Sequence, residues 1–117
     1  MMLSTETRLK AILDGTDAGA WEWCLESGEL KVNYQWAAMI GYEPHELAPL
    51  DIETWHALCH PRDLECAYEK LDFYLEGRTD RYDCILRMKH KEGGWRFVHA
   101  RGKVVAVDPV SGERWLM

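Results

Sequence analysis

The chain has 117 residues, of which 47% are hydrophobic and 29% charged, the make-up of one soluble globular domain long enough to bury a core. A formal charge of −6 without any lysine or arginine run offers no footprint for nucleic acid or an anionic membrane, and neither partner is expected. No apolar stretch approaches the length that crosses a bilayer, and the opening MMLSTETRLK lacks the apolar core of a signal peptide, so the expected location is the cytoplasm.

Ser4 or Thr5 caps a first helix with Leu9, Ile12 and Leu13 on one side and Gly15 as its stop. Residues 20–25 and 29–32 read as two antiparallel strands joined around Ser27 and Gly28. Asn33 is the natural cap of a helix over residues 34–40, which carries Trp36, Met39 and Ile40 and ends at Gly41. A further helical turn runs from Glu43 to Leu47. Residues 48–54 read as a loop before a short helix over residues 55–58.

The stretch WHALCHPRD, residues 55–63, then launches the longest helix. Pro61 suits the first helical position, where its missing N–H would be unpaired anyway, and Asp63 sets a carboxylate against the positive end of the helix dipole. Leu64, Ala67, Tyr68, Leu71 and Tyr74 or Leu75 form one apolar stripe, and Gly77 closes the helix. From residue 82 the period becomes two: Tyr82, Cys84, Leu86 and Met88 share one face, while Asp83, Arg87 and Lys89 lie on the other beside Ile85. Residues 91–94 make a turn, and residues 95–107 read as a second long strand. Its one face is small (Val98, Ala100, Gly102, Val104, Ala106) and its other is large (Trp95, Phe97, His99, Arg101, Val105). After the turn at residues 109–112, residues 113–117 read as a last strand. The order predicts an α+β fold, a five-stranded antiparallel sheet with helices on one face and an N-terminal flanking helix.

Trp21 and Trp23 as W-x-W, Gly41 and Tyr42 as GY, Trp55 with His60, Pro61 and Asp63 as W…HP-x-D, and G-x-W…G from Gly93 through Trp95 to Gly102 occur here in one order. That combination resembles the PAS sensory domain, in the subtype found in bacterial diguanylate cyclases and sensor histidine kinases. The resemblance covers residues 18–116. It implies a flanking helix over residues 1–17 and a PAS domain over residues 18–117, truncated near its last strand and excised from a longer protein. It implies a regulatory sensor coupled to an output domain beyond residue 117, and a structural role for His60, Pro61 and Asp63. A haem-binding member supplies a histidine from the helix that corresponds to residues 61–76, and none is present; the flavin-binding cysteine motif is absent too. Haem and flavin are therefore not expected, and the ligand is an unknown small molecule or none. The other reading is a ligand-free dimerisation or scaffold module.

The bland chemistry agrees. Cys24, Cys59, Cys66 and Cys84 are scattered singly and read as reduced thiols. A zinc site would have to join His56 or His60 to Cys59 and Cys66 without a second ligand pair. No nucleophile with its base and no phosphate loop is visible, so this segment is not read as an enzyme; a small α+β enzyme would need convergent ionisable groups in its cavity. The candidate pocket lies between the small face of the 95–107 strand and the helices. Trp36, Met39, Ile40, Trp55 and Leu71 would line it from the helices, and Leu86, Met88, Val98 and Ala100 from the strands. The aromatic outer face, with Trp95, Phe97 and His99, is expected to be covered by Leu9, Ile12 and Leu13 or by a second copy of the chain, which makes a homodimer the expected state.

Overall fold

The computed structural model describes residues 4–16 and 18–117, the side chains of residues 10 and 12–16 excepted. The first helix, α1 (Thr5–Thr16), is capped by Ser4, whose Oγ accepts the Thr7 N–H at 3.1 Å. It runs through Gly15 instead of stopping there. Strands β1 (Trp21–Cys24) and β2 (Leu30–Val32) pair as the expected hairpin, Trp21 opposite Val32 and Trp23 opposite Leu30.

Asn33 does more than cap α2 (Tyr34–Met39). Its Oδ1 accepts the N–H of Trp36 at 3.0 Å and of Ala20 at 2.9 Å, and its amide donates to the Ala18 carbonyl at 2.9 Å. One side chain thus sets both the start of the helix and the path of the chain into β1. Gly41 follows at φ +82, and a Cβ there would stand 2.6 Å from the His90 ring, so both its backbone and its surroundings require glycine. A 3-10 turn, Pro44–Leu47, leads to α3 (Ile52–Leu58). The helix reaches back into the stretch read as loop because Asp51 caps it, accepting the Thr54 N–H at 3.1 Å.

In α4 (Pro61–Leu75) the cap is His60, whose Nδ1 accepts the Arg62 N–H at 3.2 Å. The stripe is buried at Ala67 and Leu71 and is completed by Tyr74, while Leu75 stays exposed. The hairpin of β3 (Tyr82–Lys89) and β4 (Trp95–Gly102) runs from Tyr82 opposite Gly102 to Lys89 opposite Trp95. Tyr82, Cys84, Leu86 and Met88 are all buried, as the period of two requires.

The single strand expected over residues 95–107 is interrupted at Lys103, giving β4 and a separate β5 (Val104–Val107). The cause is a change of partner. Before Lys103 the chain pairs with β3; after it, with β6 (Arg114–Leu116), and Lys103 and Met117 exchange both backbone hydrogen bonds. The result is a four-stranded antiparallel ladder in the order β2-β1-β6-β5 and a two-stranded ladder β3-β4, joined by the chain at Lys103. Ala106, placed by its period on the small inner face, is exposed, because a bulge between Val104 and Ala106 shifts the register. The fold is mixed α+β, with helices and antiparallel strands as expected. Among the described residues no helix is long and apolar enough to cross a membrane.

The HP-x-D segment joins α4 to β3. Asp63 accepts the backbone N–H of Arg87 at 2.8 Å and its guanidinium at 2.8 and 2.9 Å, while the His60 N–H donates to the Arg87 carbonyl at 2.9 Å. These bonds with Arg87 hold the Asp63 carboxyl down at about 2. Against an unfolded value of about 3.9, the interaction contributes stability that is complete above pH ~4 and is lost as pH falls toward the folded value. Asp63→Asn is expected to lower stability by about 2 kcal/mol near pH 7. Urea midpoints should converge with those of the unsubstituted chain between pH 4 and pH 2, and a gap that persists unchanged at pH 2 would contradict the assignment.

Candidate functional site

The inward faces of β1, β2, β3 and β4 and the helices α2 and α3 line a cavity of about 50 Å³. From the strands come Trp21, Trp23, Leu30, Tyr82, Leu86, Met88, Val98 and Ala100; from the helices come Trp36, Met39, Ile52 and Trp55. Gly19 also borders it, and a side chain there would collide with the Met39 methyl at 2.7 Å, so this glycine lets α2 close over the opening. His99 borders the cavity as well, although its imidazole is bound to Asp83 at 2.6 Å and neighbours Arg101 on the outer face.

Of the residues the sequence nominates, Trp36, Met39, Trp55, Leu86, Met88, Val98 and Ala100 stand around this space. Ile40 and Leu71 are buried in the core but do not line it. Sequence reasoning passed over Trp21, Trp23, Leu30, Ile52 and Tyr82. The signal for the two tryptophans was present: a spacing of two in a strand puts both on one face.

Interlocked rings make the wall stiff. Trp23 lies 5.9 Å from Trp55 and 6.0 Å, edge to face, from Tyr68, and Trp21 meets Tyr82 edge to face at 6.3 Å. Tyr68 is tied by its hydroxyl to His56 Nε2 at 2.6 Å. Burial is the main reason that the Tyr68 and Tyr82 hydroxyls and the Cys84 thiol hold their protons more tightly than usual, and it pushes the Cys59 thiol up to about 12. Thiols in that state are neither nucleophiles nor ready metal ligands at neutral pH. Among the described residues no group of three His, Cys, Asp or Glu side chains could hold a metal ion, and no polar or charged residue is buried.

His60, Pro61 and Asp63 stand away from the cavity, at the junction of α4 and β3, and the His60 ring packs on Trp95 at 5.0 Å. On the outer face Phe97 is 76% and Ile85 62% exposed. Leu9 of α1 is exposed too, and Ile12 and Leu13 have side chains outside the described residues.

Residues 29–115 match the family described as PAS fold. The chain belongs to the PAS family. Its structure is similar to a crystal structure titled sensory box histidine kinase/response regulator from Burkholderia thailandensis E264, with a TM-score of 0.69 and 27% identity over 94% of this chain and 82% of that one. No curated protein sequence matches the chain. A PAS domain is a sensory, non-catalytic module.

Burial sorts the four thiols. Cys66 is exposed, and Cys24, Cys59 and Cys84 are buried. A thiol-reactive chromogen should therefore label one cysteine promptly in the folded PAS domain and all four in urea; rapid labelling of Cys59 or Cys84 without denaturant would show that this wall of the core opens readily.

Proposed function

We propose that this PAS domain is the cytoplasmic sensor of a bacterial signalling protein, and that it passes a small-molecule signal to an attached output domain, a histidine kinase or a diguanylate cyclase. The cavity beneath β4 carries this reading. It lies where β1, β2, β3, β4, α2 and α3 meet, so a molecule inside it would touch each of these six elements. The likeness to a sensory histidine kinase supports the kinase output. The signal works as a population shift, because a ligand stabilises whichever arrangement holds it more tightly.

β4 supplies a route outward. Ala100 stands at the cavity, and on the opposite face Arg101 and His99 both bond to Asp83 of β3, so movement of β4 alters that surface cluster. The surface bears the exposed Phe97 and Ile85, and a second copy of the chain is its proposed cover. The alternative, a ligand-free dimerisation module, is favoured by the size of the cavity: about 50 Å³, where drug-sized ligands occupy roughly 300–1,000 Å³. The ligand, if the sensor reading holds, is small or opens the site further. Neither haem nor flavin is its proposed occupant.

Native mass spectrometry of the purified domain separates the two readings. A bound small molecule, in a colourless sample, supports sensing; a bare dimer under all conditions supports the scaffold. Ala100→Phe, which fills the cavity, should abolish ligand retention and cost about 1–3 kcal/mol of stability through overpacking. Phe97→Glu should shift sedimentation from dimer toward monomer while leaving ligand retention intact. Equal sedimentation of the two chains would remove the outer face from the dimer.

A further inference from the structure

The wall of the cavity offers almost nothing to a charged molecule. No carboxylate, lysine, arginine or amide side chain stands on it, and among the described residues no polar or charged residue is buried. Its polar side-chain groups are indole nitrogens, the Tyr82 hydroxyl and the His99 imidazole. The Trp23 nitrogen is fully buried and meets no guest. The Tyr82 hydroxyl accepts the Cys84 thiol at 3.1 Å, and burial keeps it protonated. His99 is bound to Asp83 at 2.6 Å, so a positive charge on its ring already faces a carboxylate.

From this we infer that the sensor ligand is an uncharged, apolar molecule of about four heavy atoms, held by contact with the wall and not by ion pairs. This inference rests on the sensor reading and names the class of its ligand. Charge is excluded by solvation, because an organic acid or a phosphate inside the cavity would give up its water with no partner of opposite sign to replace it. Size follows from the volume, since one water needs roughly 10–15 Å³ of such space and the cavity offers about 50 Å³. Affinity comes from the wall itself. The side chains of Leu30, Leu86, Met88, Val98 and Ala100 give an ordered water no hydrogen bond, so an apolar guest gains their dispersion contacts without displacing a well-held solvent molecule.

Isobutene, acetate and guanidinium share one planar shape and nearly one size and differ in charge. Each is added to the intact chain, isotope-labelled at its methionine methyls, and followed by nuclear magnetic resonance. Met39 and Met88 stand on the wall, whereas Met117 does not line it and serves as the control. Isobutene should shift the Met39 and Met88 signals saturably and leave Met117 in place, and Ala100→Phe should abolish both shifts. Acetate and guanidinium, at about ten times the concentration, should move neither signal. If either ion shifts these signals where isobutene does, and Ala100→Phe removes the effect, the site takes charged ligands; the sensor reading then stands and the uncharged class falls. If none of the three moves Met39 or Met88, the space is closed to guests and both readings fall. Should Ala100→Phe fail to fold, nuclear Overhauser contacts from isobutene to the Val98 methyls of the unsubstituted chain decide instead, their presence placing the guest at the wall and their absence overturning the site.

Discussion

The outer edge of β3 is the place on which the architecture depends. A strand paired on one side presents a row of unsatisfied backbone groups on the other, which invites pairing with another chain. Here that edge is covered from within. Asp63 takes the Arg87 N–H, His60 gives its N–H to the Arg87 carbonyl, and Cys59 bridges to Met88. Because Asp63 also holds the Arg87 side chain, one carboxylate ties backbone to backbone and charge to charge. The helix dipole adds to this, since Asp63 sits in the first turn of α4.

The opposite end of α4 is fixed as well. The Tyr74 hydroxyl accepts the Val104 N–H at 2.8 Å, just past the interruption at Lys103. The helix therefore clasps β3 with its first turn and β5 with its last, and it spans the two ladders where the chain alone joins them. Its stripe of Ala67 and Leu71 then fills the space between. A helix bonded at both ends fixes the two ladders relative to one another.

What could be read from the sequence was whatever depends on local chemistry. The period of two in β3 is enforced by one buried face, and every inward residue fell as the alternation demands. Pro61, Asp63 and Gly41 are legible because few other residues do what a first helical turn or a positive φ requires. The break at Lys103 was marked only by Gly102, where a Cβ would meet the Met117 backbone and the Trp21 ring at 2.8 Å; it reads as one more small residue of the inner face until the switch of partner from β3 to β6 is known. The early start of α3 was missed because Asp51 was counted as loop, although an aspartate three residues before a threonine is a cap in waiting. Pocket membership was harder. Ile40 and Leu71 have the burial of wall residues but face other parts of the core, and that choice depends on how α2 and α4 are rotated. Trp23 is named in the sequence only as one half of the W-x-W pair, and its unpaired N–H emerges only when every neighbour's hydrogen bonds are known.

The two faces of β4 follow from one sequence pattern and pull in opposite directions. Small residues inward leave the volume beneath Val98 and Ala100; large residues outward leave Phe97 in water. For a domain concerned with stability alone, the reverse arrangement would be better, with aromatic rings filling the core and small groups outside. The cost of the cavity and of the exposed ring is borne by the same strand, one residue apart, so a change at either face is felt at the other through the rigid alternation of the backbone. On the outer face Asp83 bonds both His99 and Arg101, while the eight-residue backbone ladder with β3 sets the register of β4.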